Sequence, residues 1–317
     1  MAYNGYGVWS LVVQQLVISG FSAILFWTLT KWRPRMVFSI QSFKELFGFG
    51  AFMMGSTLLN TFCNNLNGLL IGRFFNAATM GYFAQAQKME SVSSTSLISV
   101  VEQVTYPILS SVQNDRNKMC DILKQLNVVI LFVLMPLMLL IILLSKPIIV
   151  FFFSSKWLPS VPFLQILALQ GIAACLQGVN YNAVAAIGKS QSIFKWTLVK
   201  RVSGVILLLI GLNWGIYGIL WSMVINSYLI CIINSALVDK FINYSLLQQF
   251  RDLLPTLVVG LITFISIYFF QQYLFFNIYI SAIIVLISFI IIYLLLSKIF
   301  SVNAFNILMI IVKNLKK

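Results

Sequence analysis

Apolar residues run along this chain in long, nearly unbroken stretches, set apart by short clusters of charge, Pro, Gly or Asn. The stretches fall at about 7–29, 47–72, 89–112, 125–145, 161–187, 194–212, 216–238, 253–271 and 277–298. Each is close to the roughly 20 residues that a helix needs to cross the hydrocarbon of a bilayer. The fourth contains Pro136 and is followed by Pro147 and a short apolar half-turn, Ile148 to Phe153. Pro is tolerated in a membrane helix where neighbours satisfy the freed carbonyl, so the pattern predicts one kinked span there. The expectation is an all-α polytopic membrane protein with nine transmembrane helices. Residues 301–317 mix Phe305, Ile307, Leu308, Met309, Ile310 and Ile311 with Lys313, Lys316 and Lys317. That segment is too short to span with its polar flanks, and predicts a basic amphipathic helix held at the interface by anionic lipid.

The direction of the spans follows from the basic residues between them. Lys31, Arg33, Arg35 and Lys44 follow the first span, and Arg116, Lys118 and Lys124 follow the third. Lys189, Lys195, Lys200 and Arg201 follow the fifth, Lys240 and Arg251 the seventh, and Lys298, Lys313, Lys316 and Lys317 the ninth. The alternate loops hold only Arg73, Lys88, Lys146 and Lys156. This alternation is what the positive-inside rule requires of nine spans with a cytoplasmic C-terminus. It puts Met1 outside with no signal peptide ahead of it, which suggests that something precedes residue 1.

Composition narrows the chemistry. Of 317 residues 60% are hydrophobic and 9% charged, with a mean hydropathy of +0.96, whereas a soluble domain carries roughly a quarter charged residues. A net charge of +14 would suggest nucleic acid in a soluble protein, but here topology accounts for it and no nucleic-acid partner is expected. There is no His, so His-activated nucleophiles, His–metal sites and imidazole relays are absent. Cys63, Cys120, Cys175 and Cys231 are far apart and have no paired ligand spacing. Only seven acids exist, which argues against a carboxylate-lined pump. No catalytic residue, metal or cofactor is expected.

An internal echo organises the chain. The first span opens Gly5-Tyr6-Gly7-Val8-Trp9-Ser10-Leu11-Val12, and the seventh opens Tyr217-Gly218-Ile219-Leu220-Trp221-Ser222-Met223-Val224. Both sit at the outer end of a span running inward. Six helices separate them, which suggests a six-helix unit repeated in parallel about the membrane normal. The chain would then start at the last helix of a first unit, five helices short of a fourteen-helix parent.

Gly5-Tyr6-Gly7-Val8-Trp9-Ser10, together with Trp32-Arg33-Pro34-Arg35, Leu46-Phe47-Gly48-Phe49-Gly50 and Leu70-Ile71-Gly72-Arg73-Phe74-Phe75, resembles a known family. Gly81-Tyr82-Phe83, Lys156-Trp157-Leu158-Pro159 and Ala185-Ala186-Ile187-Gly188-Lys189-Ser190 extend the likeness to about residue 260. The family is the Wzx-type flippases of the multidrug/oligosaccharidyl-lipid/polysaccharide superfamily. The resemblance implies translocation of undecaprenyl-pyrophosphate-linked oligosaccharide across the inner membrane, with no enzymatic step. It implies residues 1–43 as the last helix of an N-terminal lobe with its cytoplasmic loop, and 44–240 as a six-helix C-terminal lobe. Two terminal helices at 241–300 and the basic tail at 301–317 complete it. The first five helices of such a protein have no counterpart here.

Polar side chains in lipid are costly and face a bundle interior or a wet cavity. Asn60, Asn64 and Asn67 recur on one helical face; Glu90, Ser94 and Glu102, with Thr105, lie close to one face of the next span. Gln170, Gln177 and Tyr181 follow in similar register. They are candidates for a sugar-binding cavity, or for ordinary interhelical hydrogen bonds. Glu102 lies deep enough to couple transport to a proton or sodium ion, or to pair structurally. Lys195, Lys200 and Arg201 are candidate pyrophosphate contacts at the cytoplasmic mouth; snorkelling is favoured for Lys195 and Lys200, and Arg201 stays open. Arg73 could meet the pyrophosphate on exit or anchor its helix. Two rival readings remain: a drug or peptidoglycan-precursor exporter of the same superfamily, and a membrane-embedded polysaccharide polymerase or ligase. Short outer loops and the absence of His weigh against the enzyme.

Overall fold

The computed structural model describes residues 9–30, 39–40, 43, 58, 61–62, 65–66, 68–188, 190–274 and 277–315, with the backbone alone at 10–11, 95–97, 102, 175, 190–191, 194 and 310–315. Among these residues the regular structure is entirely helical. Two units are distinguished, Met1–Asn60 and Thr61–Lys317.

The first unit contains α1 (Trp9–Leu29), 21 residues without one charged side chain. Its apolar side chains, Leu16, Phe21, Ile24 and Phe26 among them, are exposed, as a helix solvated by lipid requires. Near its end the Thr28 hydroxyl donates back to the carbonyls of Ile24 and Leu25, both at 3.1 Å, so no hydroxyl is left unsatisfied in an apolar setting.

The second unit has helical backbone over 68–74 and then eight helices. These are α2 (Ala77–Ser111), α3 (Arg116–Phe153), α4 (Val161–Ala186), α5 (Ser190–Gly211), α6 (Gly215–Ile242), α7 (Leu246–Gln272), α8 (Ile278–Ile299) and α9 (Asn303–Leu315). Their ends are written in the sequence. The Asn76 side chain accepts from the Thr79 N–H at 2.8 Å to start α2, and Asp115 accepts from Lys118 N–H at 3.1 Å to start α3. That bond to the backbone holds the Asp115 carboxyl below its ordinary range. Ser245 and Gln248 form a reciprocal capping box on α7. Between α5 and α6 the chain turns through a 3₁₀ segment, Leu212–Trp214, and reverses at Gly215, whose φ of 70° suits Gly because it lacks a Cβ.

Several boundaries differ from expectation. α2 starts at Ala77 rather than near residue 89. Gln85, Gln87, Lys88 and Glu90 interrupt its apolar run, and the Asn76 cap, not hydropathy, sets its start. α3 passes unbroken through both Pro136 and Pro147, so the half-turn at Ile148 to Phe153 is the end of that same helix. Six segments of the described residues are long and apolar enough to cross a membrane: Val12–Leu29, Arg116–Phe153, Ser155–Ala186, Lys195–Ile242, Leu246–Gln272 and Ile278–Ile299. The fourth of these folds back on itself as α5 and α6. α2, the least apolar long helix, is not among them, and the expected span at 47–72 lies largely outside the described residues.

Within the second unit α4 is the hub, packed against α2, α3 and α6, while α5 packs on α6 and the α7–α8 pair packs on α3. Lipid tails are as apolar as Leu, so such helices associate through shape and hydrogen bonds rather than water exclusion. Shape decides at Gly211 and Gly218. A Cβ on Gly218 would sit 2.1 Å from the Gly211 carbonyl oxygen, and one on Gly211 would sit 2.5 Å from the Gly218 oxygen. The Tyr-Gly of the internal echo therefore has a packing reason in α6. On the other side of the unit, Met135, Phe289 and Tyr293 join α3 to α8, and the Tyr293 hydroxyl donates to the Phe132 carbonyl at 2.9 Å. Val302 and Ala304, at the start of α9, are buried in the same core, and the Phe305 ring lies 6.4 Å from that of Phe132. The expected interfacial helix is thus docked on protein as well as being amphipathic.

Hydrogen bonds decide at the Lys/Arg-rich end. Asn127 of α3 donates to Asn180 of α4 at 3.2 Å. Asn180 in turn donates to Ser235 Oγ of α6 at 3.0 Å and to Gln249 Oε1 of α7 at 3.1 Å. Gln249 closes the network on the Tyr244 carbonyl at 2.9 Å. One buried amide thereby joins four helices, which fixes the ends of the elements around the cavity described next.

Candidate functional site

A cavity of about 440 Å³ opens where α5 and α6 meet α2 and α4. Its wall on α5 carries Lys200, Arg201, Gly204, Val205 and Leu208; facing them are Gln87 of α2, Gln170, Ala174 and Gln177 of α4, and Ser222, Asn226 and Ser227 of α6. Two neighbouring cations therefore face a set of amides and hydroxyls. That is a lining for an anion joined to hydrogen-bonding groups, since ammonium and guanidinium make their strongest bonds to phosphate or carboxylate oxygens.

Gln177, Ser227 and Lys200 are held by their neighbours. The Gln177 amide donates to the Ser227 carbonyl at 2.8 Å and to its hydroxyl oxygen at 2.7 Å. The Ser227 hydroxyl also donates to the Gln170 carbonyl at 3.3 Å, so α4 and α6 are laced together along the cavity floor. Among the described residues Gln170 Oε1 and Asn226 Oδ1 have no hydrogen-bond partner. Buried amide oxygens are normally paired, so these two acceptors are in reserve beside the cavity. Lys200 is 8% exposed and its ammonium donates to Asn234 Oδ1. The Asn234 amide nitrogen donates to the Gln177 carbonyl at 3.0 Å.

The sequence candidates separate into groups. Gln170, Gln177, Lys200 and Arg201 come together on the cavity wall. Lys200 turns inward instead of snorkelling, because Asn234 offers its ammonium a buried acceptor. Lys195 and Arg73 are exposed and lie off the lining, as does Tyr181. Glu90 packs between α2 and α4: its carboxylate accepts from Ser94, and a Cβ on Gly171 would lie 3.4 Å from its Oε1. Thr105 accepts from Asn182 at 3.0 Å, a helix-to-helix bond. Asn60, Asn64 and Asn67 lie outside the described residues, as does the side chain of Glu102. Gln87, Ser222, Asn226 and Asn234 complete the site and were not singled out from sequence. Their signal was the recurrence of Ser222, Asn226 and Asn234 at steps of four and eight along one helix, which keeps them near one face. Among the described residues no three of His, Cys, Asp and Glu gather as metal ligands.

Comparison with known proteins gives this arrangement its context. The teichuronic acid biosynthesis protein TuaB of Bacillus subtilis (strain 168) is 27% identical over 266 residues, covering 80% of this chain and 54% of TuaB. The succinoglycan biosynthesis transport protein ExoT of Rhizobium meliloti (strain 1021) is 26% identical, covering 64% of this chain and 41% of its own. The lipopolysaccharide biosynthesis protein WzxC of Escherichia coli (strain K12) is 25% identical, covering 72% and 48%. The chain thus spans about half the length of these relatives. Its fold is similar to that of the lipid II flippase MurJ in an inward closed conformation, with a TM-score of 0.68 at 22% identity over 84% of this chain and 56% of MurJ. The family model described as polysaccharide biosynthesis protein matches residues 1–162. This multi-pass membrane chain belongs to the polysaccharide biosynthesis protein family.

Proposed function

We propose that the chain binds the headgroup of an undecaprenyl-pyrophosphate-linked oligosaccharide and takes part in moving it across the inner (plasma) membrane for cell-surface polysaccharide biosynthesis. The observation that carries this reading is the single cavity in which Lys200 and Arg201 face Gln87, Gln170 and Asn226. A pyrophosphate between the cations and a sugar against the amides would use both walls at once. Residues 44–240 would form the lobe around it, which rocks against a second lobe in alternating access while the lipid tail stays in the bilayer. No bond in the cargo is made or broken. Membership of the family supports the reading, as do relatives named for succinoglycan transport and for lipopolysaccharide and teichuronic acid biosynthesis. A proton or sodium ion would drive the cycle, with Glu102, deep in its apolar run, the candidate to sense it.

Binding tests the reading directly. The full chain in nanodiscs is titrated with undecaprenyl-pyrophosphate-linked monosaccharide, alongside Lys200→Gln/Arg201→Gln. Losing two charge-assisted contacts should weaken binding at least about a hundredfold if each contributes about 1.5–3 kcal/mol. Equal affinity in the double variant refutes the site. Orientation is checked separately, since the basic loops would put the C-terminus in the cytoplasm by the positive-inside rule. Reporter fusions after Leu315 should be active only for a cytoplasmic reporter, and periplasmic activity would reverse the topology.

A further inference from the structure

We infer that Asn234, which does not line the cavity, sets its affinity for anions by holding the Lys200 ammonium. This rests on the phosphate reading of the cavity. Asn234 is 4% exposed and both ends of its amide are engaged: Oδ1 accepts from Lys200 of α5, and Nδ2 donates to the Gln177 carbonyl of α4. The orientation is fixed by chemistry, because a reversed amide would point its N–H₂ at an ammonium that can only donate. Lys200 is thus parked on a neutral acceptor. The bond to Asn234 is charged on the lysine side only, whereas a bond to phosphate adds the attraction of opposite charges, so an entering phosphate takes the ammonium from Asn234. Arg201, beside it on the wall, is the second cation.

Two consequences follow. The residue at position 234 tunes how readily Lys200 is given up, and headgroup binding releases the bond that ties α5 to α6 and through it to α4. The cargo thereby loosens the cation-bearing helix as it binds.

The test uses two substitutions that damage the scaffold alike and treat Lys200 oppositely. Asn234→Ala and Asn234→Asp each remove the donor to the Gln177 carbonyl. Alanine leaves Lys200 without its acceptor, whereas aspartate captures it in an ion pair. Binding of farnesyl pyrophosphate to the purified full chain in nanodiscs of zwitterionic lipid is measured by calorimetry. Asn234→Ala should bind about threefold more tightly and Asn234→Asp about tenfold more weakly than the unsubstituted chain. In a Lys200→Met background the Asn234→Ala gain should vanish, since that effect runs through the ammonium. Shifts in the same direction, or an Asn234→Ala gain that persists in Lys200→Met, overturn the inference and leave the phosphate reading standing. No binding by the unsubstituted chain overturns the phosphate reading itself and this inference with it. If size-exclusion profiles show that either variant misfolds, Asn234→Val and Asn234→Glu supply the same contrast, since valine has no acceptor.

Discussion

Gly218→Val should leave no correctly folded protein. The Cβ alone would sit 2.1 Å from the Gly211 carbonyl oxygen and 2.8 Å from Trp214 Cβ, so backbone must move rather than a flexible side-chain tip. The turn that returns the chain is only Leu212–Trp214 followed by Gly215 at φ 70°, which leaves no slack to absorb the displacement. Overpacking in an ordinary core costs about 1–3 kcal/mol, and a clash with main chain in a short hairpin lies at or beyond the upper end. Detergent-solubilised Gly218→Val should run as aggregate in size-exclusion chromatography. Gly72→Ala is the control, because nothing lies within 4 Å of the added Cβ, and it should be indistinguishable from the unsubstituted chain. A monodisperse Gly218→Val variant would mean that α5 and α6 are not in contact there.

Asn180→Leu should destabilise the second unit by about 3 kcal/mol, read as a fall in the unfolding midpoint of the solubilised chain. The estimate rests on what the substitution strands. Asn127 loses its acceptor, and Ser235 and Gln249 lose their donor, all within a buried cluster. Interhelical hydrogen bonds in membranes average about 0.6 kcal/mol each, but a buried polar group left unpaired costs about 1–3 kcal/mol. Hence the loss exceeds the summed worth of the bonds. A change below about 1 kcal/mol would show that water reaches the cluster and satisfies the stranded groups.

The membrane helices were legible because the bilayer demands length and apolarity together, and little else in the sequence could meet both. α4, α6 and α8 start and end within a few residues of their apolar runs, and the caps at Asp115 and Ser245 follow ordinary local chemistry. The first half of α2 was hidden for a physical reason: Gln87 lines the cavity, and together with Gln85, Lys88 and Glu90 it breaks the apolar pattern by which membrane helices are recognised. Site residues divided in the same way. Gln170, Gln177, Lys200 and Arg201 stood out because charge and in-phase amides are rare in lipid. Asn226 and Asn234 did not, since two amides eight residues apart in an apolar run read as ordinary interhelical bonding and their role depends on which helix lies opposite. That Lys200 turns inward could be learned only from Asn234 beside it, because a lysine on an apolar helix can reach the headgroups just as well.

The amide cluster of Asn127, Asn180, Ser235 and Gln249 has one more implication. Every bond in it is of a kind that water makes equally well, so its grip lasts only while the cluster is dry. Wetting that end of the bundle would let α3, α4, α6 and α7 part with little enthalpy lost, whereas a seam of interlocked hydrocarbon would gain nothing from the same water. Hydration would then serve as the key to this end of the molecule, and the tight seam at Gly211 and Gly218 would stay shut through the same event.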